Sequence, residues 1–370
     1  MLNNKILNYI TYQTFPAETA NSQQTISNLK YLSRKDITVK LFFPLREKSS
    51  NAELIALQNF YEFNEKFEVN GVKHNYPFGK INIFNKIFFH ISHFLWAKYF
   101  FKNYKPQENE YILTRSDWIL YFSAVSKRNV VFECHQTSKL RNLIIRKLRN
   151  HENVKYIFLN ENLEQKYSYI NNQSIVLHNA VDSELFVENV EKEKGSVVFV
   201  GSLERFGKLR GFEIVLNSIK KLNISNRFNI KIIGGPNKLS GFLDKEIKNL
   251  KLENYITAEG RKSRASTIKS IQNAEIGLLI NENTNKHSIY FTSPLKYFEY
   301  LYGGLKIVAT DNPAHRKLPY SEDIFFYDEN DEKSFEKAMI DASKSNIIDK
   351  REYKDITLEQ RSERLLSFIF

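Results

Sequence analysis

The chain has 370 residues, of which 42% are hydrophobic and 26% charged, and a formal net charge of +12. This length and composition indicate about two globular domains and exclude a disordered or low-complexity protein. A single cysteine, Cys134, cannot form an internal disulfide, so the sequence carries no sign of an oxidising compartment.

The N-terminal residues 1–15 lack the continuous apolar core and the small-residue cleavage site of a signal peptide. They are expected to hold the first strand, and the protein is expected to be cytoplasmic. Basic residues are concentrated in the first half, where residues 101–150 hold 10 Lys and Arg against 4 Asp and Glu. The basic N-terminal half of the chain predicts an anionic partner. This partner is either a phosphate-bearing acceptor, a membrane surface or nucleic acid.

Short apolar runs alternate with longer segments of helical spacing along the whole chain. This alternation predicts an α/β fold with parallel sheets, in two Rossmann-like domains of six strands each. The predicted strands are 5–12, 37–44, 111–116, 129–135, 154–160, 174–182, 196–203, 228–235, 255–260, 275–280, 305–311 and 323–328.

The charged segment 187–196 is the expected seam between the domains. It defines an N-terminal domain, 1–186, and a C-terminal domain, 187–355, while the amphipathic segment 356–370 is expected to pack back on the first domain. In open parallel sheets, ligands bind beyond the carboxyl ends of the strands, so the residues that follow strands are the candidates for chemistry.

A broad apolar stripe in segment 80–104 comprises Ile81, Phe84, Ile87, Phe88, Ile91, Phe94, Leu95 and Tyr99. The segment also has basic flanks, but it has too many polar residues for a membrane-spanning helix. It is either an amphipathic helix that lies on an anionic membrane or a core helix of the first domain. Segment 139–151, KLRNLIIRKLRNH, is a second basic amphipathic helix and is expected to share the same surface.

Two predicted strands of the first half end in polar residues. Arg115 is expected either to hold an anionic acceptor group or to pair with Asp117. Strand alternation places Glu133 and His135 on one side and Cys134 on the other. His135 is either a donor to a sugar hydroxyl, an acid or base, or a packed core histidine. Cys134 is expected to be an inert, buried thiol.

The loop 201–211, GSLERFGKLRG, follows a strand and precedes a helix. Its cations, Arg205, Lys208 and Arg210, form either a phosphate-binding loop or a solvated basic turn. Gly234 in the segment 232–238 allows close approach of the backbone to a ligand, or simply a turn. The GxGxxG pattern of a dinucleotide site is absent from the sequence, and so are HExxH, CxxC and Asp-x-Asp metal motifs.

The segment 293–304, SPLKYFEYLYGG, predicts a short helix that is capped by Ser293 and ended by a pair of glycines. Free amides at Leu295 and the next two residues favour an anion. Glu299 falls on the inward, apolar face, where an uncompensated carboxylate is costly. The pattern predicts a nucleotide, with its diphosphate at the helix start and its ribose at Glu299, or else a Glu299 that pairs with a nearby Lys or Arg.

The order and spacing of these pieces resemble those of the retaining, nucleotide-sugar-dependent glycosyltransferases of family 4, of the bacterial surface-polysaccharide type. The resemblance covers nearly the whole chain, and it implies the GT-B fold, in which two Rossmann-like domains face each other across a cleft. Its segments are LHNAVDSELF (177–186), FVGSLERFGKLRG (199–211), FNIKIIGGPN (228–237), NAEIGLLI (273–280), SPLKYFEYLYGGLKIVATD (293–311), TRS (114–116) and FECH (132–135).

The resemblance implies a role for each matching position. Glu299 would bind the donor ribose, the loop cations would hold the diphosphate, and His135 would contact the donor sugar or the acceptor. The implied catalytic residues are His135, Glu299, Arg205 and Lys208. The implied donor-binding residues are Arg205, Lys208, Arg210, Gly234, Ser293, Leu295 and Glu299. The implied acceptor-binding residues are Arg115, Asn21 and His135.

The chain departs from the family pattern at three places. Phe291 stands where the first glutamate of the E-x7-E motif would face the transferred sugar, so the resemblance does not specify which sugar is transferred. Ser202 stands where the family has an arginine, and Arg205 or Lys208 is expected to substitute for it. The loop 15–24 has no glycine, although the matching family loop is rich in glycine.

The implied activity is transfer of a hexosyl group from a nucleotide diphosphate sugar to a glycan or lipid-linked acceptor, with no metal and no cofactor other than this co-substrate. The expected location is cytoplasmic and peripheral on the inner face of the plasma membrane. Two alternatives are a catalytically inactive glycosyltransferase-like subunit that binds a glycan or partner, and a GT-B nucleotide-sugar epimerase. A nucleic-acid partner is not expected, because the positive charge of the chain is the only feature that supports one.

Overall fold

The computed structural model describes residues 5–76, 85–107, 109–205, 208–221, 227–281, 285–345 and 350–370. The chain divides into two compact units. Unit 1 comprises residues 1–159, 163–177 and 362–370, and unit 2 comprises residues 160–162 and 178–361.

In unit 1, the described residues include seven parallel strands that form one sheet. The strands are β1 (Ile6–Ile10), β2 (Thr38–Leu45), β3 (Glu68–Lys73), β4 (Glu110–Thr114), β5 (Val130–Cys134), β6 (Val154–Phe158) and β7 (Ser174–Val176). Their order is β3-β2-β1-β4-β5-β6-β7, so the direction of winding reverses between β1 and β4.

Helices connect these strands along the chain. They are α1 (Ala20–Ser33), α2 (Leu54–Tyr61), α3 (Asn85–Asn103), α4 (Asp117–Val125), α5 (Lys139–Leu148) and α6 (Glu161–Lys166). The core of unit 1 contains strand residues such as Leu7, Leu41 and Val131, together with Leu29 and Leu32 of α1. Continuous burial of the strands is what parallel sheets covered on both faces require.

The prediction of six strands in the first half was wrong, because β3 is a seventh strand at the edge of the sheet. Its sequence, EVNGVK, has no run of apolar residues and is half-buried or exposed along its length. An edge strand needs only one neighbour and little apolar surface, so it leaves a weak pattern in the sequence.

Unit 2 holds a second parallel sheet. Its strands are β8 (Ser196–Val200), β11 (Asn229–Ile233), β12 (Ile256–Gly260), β13 (Ile276–Leu279), β14 (Lys306–Thr310) and β15 (Ile324–Tyr327), and a separate two-stranded hairpin is formed by β9 (Glu204–Arg205) and β10 (Lys208–Leu209). The sheet order is β12-β11-β8-β13-β14-β15, so its winding reverses between β8 and β13.

The helices of unit 2 are α7 (Glu213–Lys221), α8 (Asn237–Asn249), α9 (Arg264–Asn273), α10 (Lys286–Tyr290), α11 (Leu295–Tyr302) and α12 (Glu332–Lys344). Two buried clusters cover the two faces of its sheet. Val197 and Ile230 lie in one cluster, while Val198 and Ile307 lie in the other.

The segment that was predicted as the domain seam, 187–196, lies within unit 2, and the chain changes unit at Leu177/His178 instead. Lys192 anchors this segment by two hydrogen bonds, in which its Nζ donates to Gln272 O at 2.8 Å and to Gly303 O at 2.5 Å. The charged segment is therefore no linker here, because Lys192 holds it to other residues of unit 2.

The terminal helix α13 (Leu358–Ile369) begins in unit 2 and ends in unit 1. Leu365 and Ile369 lie in the core of unit 1, and Lys155 Nζ donates to Phe368 O at 2.9 Å, at the C-terminal end of the helix. A lysine at this end satisfies carbonyls that lack helical partners and complements the helix dipole.

None of the helices in the described part of the chain is both long enough and apolar enough to cross a membrane. In α3, the residues with the least exposure are Ser92, His93, Trp96, Ala97 and Phe100. The predicted apolar stripe is not the buried face, because Ile87, Ile91 and Tyr99 are 57%, 45% and 37% exposed. Two other stripe positions, Ile81 and Phe84, lie outside the described residues.

Candidate functional site

Arg210 lies at the point where the winding of the unit 2 sheet reverses. Its Nε donates to Ser202 O at 2.7 Å, just beyond β8, and its Nη1 donates to Ile280 O at 2.9 Å, just beyond β13. Nη1 also lies 3.3 Å from Asn281 Oδ1. The guanidinium thus spans the carboxyl ends of two neighbouring strands, which is where α/β sheets of this kind bind ligands.

The rest of the basic loop contains regular secondary structure. Residues 204–205 and 208–209 pair as a short antiparallel hairpin, in which Lys208 is opposite Arg205. The side chains of Arg205 and Lys208 lie outside what the structure describes, so their predicted contacts with phosphate stay predictions.

Two glycines bring neighbouring strand ends into contact. A Cβ on Gly234 would lie 1.8 Å from Gly201 O, so no other residue fits at this position. Gly234 N also donates to Gly260 O at 2.8 Å. The need for glycine at 234 is therefore explained by packing of the backbone, and its predicted contact with the donor is an additional hypothesis.

Helix α11 begins differently from the prediction. Pro294 is its N-cap residue, and Ser293 makes no cap. The hydroxyl of buried Ser293 accepts instead from Asn179 N at 3.3 Å. Tyr297 N donates to Pro294 O at 3.1 Å, so its amide is not free for an anion. The helix ends at Tyr302 with Gly303 as its C-cap residue, and Gly304 has a φ of 72°, so the predicted pair of glycines does end the helix, in a left-handed turn.

Glu299 is buried, as its place on the inward face predicted, and its charge is compensated. Arg264 Nη2 donates to Glu299 Oε1 at 2.5 Å, and the two side chains are 39% and 8% exposed. Burial alone would lower the pKa of the Arg264 guanidinium, but the Glu299 carboxylate outweighs burial and holds that pKa above its ordinary value. The alternative that Glu299 pairs with an arginine is confirmed, and its contact with ribose stays a prediction.

Lys296 is a cation at this site that the sequence interpretation did not single out. Its Nζ lies 3.7 Å from the centroid of the Phe199 ring, and it would lie 3.4 Å from a Cβ built on Gly201. Lys296 is in the first turn of α11, yet it contacts the end of β8. Only the folded chain brings these positions together, so no local sequence signal identified it.

Phe291, the position at which the resemblance implied a glutamate, is the C-cap residue of the short helix α10. Its amide donates to His287 O at 3.0 Å, and its ring lies 6.0 Å from that of Tyr290. Asn160 Nδ2 donates to the carbonyls of Tyr290 and Thr292, each at 3.2 Å, which fixes the backbone on both sides of Phe291.

In unit 1, Arg115 and His135 both approach Glu133. Arg115 Nε donates to Glu133 Oε2 at 3.0 Å, and His135 Nε2 lies 3.1 Å from Glu133 Oε1. Burial alone would lower the pKa of Arg115, but the neighbouring Glu133 carboxylate raises it above the ordinary value. The suggested Arg115–Asp117 pair was wrong, since Asp117 accepts from Arg141 Nε at 2.6 Å.

The three predicted acceptor-binding residues lie close together. Arg115 Nη1 donates to Asn21 Oδ1 at 3.2 Å and to Gln24 Oε1 at 3.0 Å, which links the end of β4 to the first turns of α1. Arg115 thus joins Asn21 to His135 through Glu133. The structure favours a preorganised polar network here over a free cation that waits for an anion.

Cys134 is fully buried, and burial raises the pKa of its thiol to about 11. Its Sγ donates to Gln136 O at 3.5 Å. A protonated thiol with no solvent access is a poor nucleophile, which agrees with the predicted inert cysteine.

A second cluster of titratable side chains, which the sequence interpretation missed, follows the ends of β1, β2 and β3. Tyr12 Oη lies 2.8 Å from His74 Nε2, its ring stacks on His93 at 4.4 Å, and Arg46 lies over it at 4.7 Å. Burial, followed by the charge of Arg46, lowers the pKa of His74 to about 4. Burial also lowers the pKa of His93 to about 3, with a smaller contribution from His90.

No family model matches the sequence, and no curated protein matches it. Many solved structures are similar to this chain, among them three that match nearly its whole length. Anabaena HepE in complex with UDP-glucose is 10% identical, with a TM-score of 0.59 over 99% of this chain and 95% of that one. WaaG, a glycosyltransferase involved in lipopolysaccharide biosynthesis, is 11% identical, with a TM-score of 0.62 over 98% and 99%.

A UDP-forming α,α-trehalose-phosphate synthase from Burkholderia xenovorans, in complex with glucose-6-phosphate, is 10% identical, with a TM-score of 0.63 over 98% and 100%. These similarities and the two parallel sheets establish the GT-B fold for this chain, as predicted. Among the described residues, no group of three or more His, Cys, Asp or Glu could hold a metal ion. The predicted absence of a metal and of a cofactor stays a prediction.

Proposed function

We propose that the chain is a retaining, metal-independent glycosyltransferase. It would transfer a hexosyl group from a nucleotide diphosphate sugar to a glycan or a lipid-linked saccharide during synthesis of a surface polysaccharide of the capsule or O-antigen type. The observation that carries this proposal is Arg210, whose guanidinium spans the ends of β8 and β13. A fixed cation at this place suits a ligand that bears phosphate.

The donor would lie on unit 2. Arg210 and Lys296 lie near the carboxyl end of β8. They would hold the diphosphate together with Arg205, Lys208 and the amide of Leu295. Glu299 would accept hydrogen bonds from the ribose hydroxyls through Oε2, while Oε1 accepts from Arg264. A carboxylate that is already oriented by an arginine would bind a diol with little loss of side-chain entropy.

Charge at the leaving group explains how these residues would accelerate transfer. As the bond from the sugar to the diphosphate breaks, negative charge develops on the phosphate oxygens. Fixed cations near those oxygens stabilise this charge more in the transition state than in the bound substrate. The leaving phosphate would take the proton of the acceptor hydroxyl on the same face of the sugar, so no protein base is required and the anomeric configuration is retained.

The acceptor would lie on unit 1, at the network of Arg115, Glu133 and His135. Arg115 and Asn21 are held in one arrangement by the hydrogen bond between them. His135 would face the reacting sugar or the acceptor. The solved trehalose-phosphate synthase contains a sugar phosphate, and by this analogy an anionic saccharide is among the acceptors to test.

We further propose that unit 1 binds an anionic membrane surface, on the inner face of the plasma membrane, through α3 and α5. Ile87, Ile91 and Leu143 are 57%, 45% and 67% exposed, although each is strongly apolar. Exposed cations accompany them on the same two helices. These are Lys98, Lys102, Lys139, Arg146 and Lys147. Apolar side chains between cations suit the boundary between lipid headgroups and acyl chains.

Release of nucleotide in the presence of an acceptor tests this function. The purified protein is incubated with UDP-, GDP- and dTDP-sugars, with and without saccharide lipid extracted from a strain that carries the gene, and free nucleotide diphosphate is measured. We expect nucleotide diphosphate to be released only when the acceptor is present. The product should keep the anomeric configuration of the donor. Binding without release would support the inactive subunit, and a changed sugar without an acceptor would support the epimerase.

A further inference from the structure

His315 is a fully buried histidine of unit 2 that has no part in the proposed chemistry. It begins a 3-10 turn, His315–Lys317, shortly after β14. Its ring lies between two groups on neighbouring strand ends. Nδ1 is 2.8 Å from Thr310 O, and Nε2 is 3.3 Å from Asn281 Nδ2.

These two contacts determine which ring nitrogen carries the proton. A carbonyl oxygen can only accept, so at 2.8 Å from Thr310 O the Nδ1 atom must be the donor. In the neutral ring, Nε2 is then an acceptor and receives a hydrogen bond from the Asn281 amide. Asn312 Nδ2 lies 3.3 Å from Nδ1, but this contact is longer, and the Asn312 amide is oriented by its Oδ1, which accepts from His315 N at 2.9 Å.

The tautomer of His315 fixes the side-chain amide of Asn281. Because Nδ2 of Asn281 donates to the ring, Oδ1 is the atom on the other side of the amide, where it lies 3.3 Å from Arg210 Nη1. Asn281 N is itself held by Thr310 Oγ1 at 3.0 Å. Asn281 is only 4% exposed, and a buried amide of this kind has one arrangement that satisfies both neighbours.

We propose that His315 is a positioning residue for the diphosphate-binding arginine. Its neutral Nδ1–H tautomer orients Asn281, and Asn281 holds the guanidinium of Arg210 across the ends of β8 and β13. This inference rests on the proposed function for the role of Arg210, but the chain of hydrogen bonds can be tested without any ligand.

Two substitutions separate this role from simple packing. In H315N the shorter amide reaches the position of Nδ1, so it keeps the bond to Thr310 O and loses the acceptor for Asn281. In H315Q the longer amide reaches the position of Nε2, so it keeps an acceptor for Asn281. A role in packing alone predicts that both variants behave alike.

Nuclear magnetic resonance tests the hydrogen bonds in the free protein. Long-range proton–nitrogen spectra report the tautomer of each of the 8 histidines, and the signal missing in H315Q identifies His315. We expect the Nδ1–H tautomer, and we expect slow solvent exchange of the Arg210 Nε–H in wild type and H315Q, which becomes at least about tenfold faster in H315N. An Nε2–H tautomer, or equal exchange in all three proteins, would overturn the inference.

Calorimetric titration with UDP, GDP and dTDP, and with the matching nucleosides, tests the consequence for binding. H315N should weaken the tightest nucleoside diphosphate by about tenfold without weakening the nucleoside, and H315Q should recover most of that loss. Equal binding of the diphosphate by wild type and H315N would overturn the positioning role of His315 and would leave the proposed function standing. If wild type binds none of the three diphosphates, the proposed function fails, and the exchange measurement still decides the positioning role.

Discussion

Arg264 Nη2 donates to Glu299 Oε1 at 2.5 Å, so the first residue of α9 neutralises a buried carboxylate on α11. A carboxylate on the inward face of a helix is costly unless a partner compensates it. The pair explains how Glu299 is tolerated in the apoprotein, and it also orients the carboxylate that we assign to ribose.

Removal of Arg264 should destabilise unit 2 because Glu299 is then left without its cation. We expect R264A to lower the free energy of unfolding, measured with urea, by roughly 1–3 kcal/mol. A double-mutant cycle of R264A and E299A, measured in the same way, should give a coupling free energy of about 1 kcal/mol. The exposed pair Arg316–Asp311, whose side chains are 58% and 38% exposed, serves as the control and should couple more weakly. Equal coupling free energies in the two pairs would show that burial of Glu299 does not make its ion pair stronger than an exposed one.

The two cations at the end of β8 should contribute to the binding of phosphate rather than of the nucleoside. R210A and K296M are each expected to weaken a nucleoside diphosphate by about tenfold or more, because a charge-assisted hydrogen bond is lost. K248M removes a cation whose side chain is 63% exposed on α8, and it should leave the affinity unchanged. Equal losses for nucleoside and diphosphate would argue against the phosphate role.

Two histidines of unit 1, the half-buried His74 and the buried His93, should make stability depend on pH. The pKa values of His74 and His93 are lowered to about 4 and about 3, from an ordinary value of 6.5. In the unfolded chain both protonate below pH 6.5, while in the folded chain they stay neutral. Their contribution is therefore fully present above pH 6.5, and it decreases as the pH falls from 6.5 towards 4.

The H74Q variant isolates the contribution of one histidine. Its free energy of unfolding should fall less steeply between pH 6.5 and 4 than that of the wild type, as measured by urea titration at several pH values. Parallel curves for the two proteins would show that His74 protonates as easily in the folded protein as in the unfolded chain.

Binding to anionic membranes should require both the apolar and the basic residues of α3 and α5. We expect binding to vesicles that contain phosphatidylglycerol, which weakens with added salt, and a loss of about fivefold for each charge removed in R146Q and K147Q. I87S with I91S should also weaken binding. F242S, which removes an aromatic ring that is 52% exposed on α8, is the matched control. Binding that is insensitive to all four substitutions would place the membrane surface elsewhere.

The sequence predicted twelve of the strands, because most of them are buried apolar runs bounded by turn residues, as in β5 and β14. It missed β3 and the hairpin of β9 and β10, which have short or polar sequences and little buried surface. For the site, strand ends and the start of α11 were visible as local patterns. Lys296, Arg264 and His315 were not, because their partners lie far away along the chain and only tertiary packing brings them together.

The proposed activity requires that unit 2 binds a nucleotide diphosphate sugar. Its most direct test is calorimetric titration of the wild type and of E299A with UDP-glucose and a panel of GDP- and dTDP-sugars. We expect one donor to bind the wild type, and we expect its affinity to be lost or reduced at least about tenfold in E299A while the variant stays folded. Absence of binding for every donor, or an unchanged affinity in E299A, would contradict it.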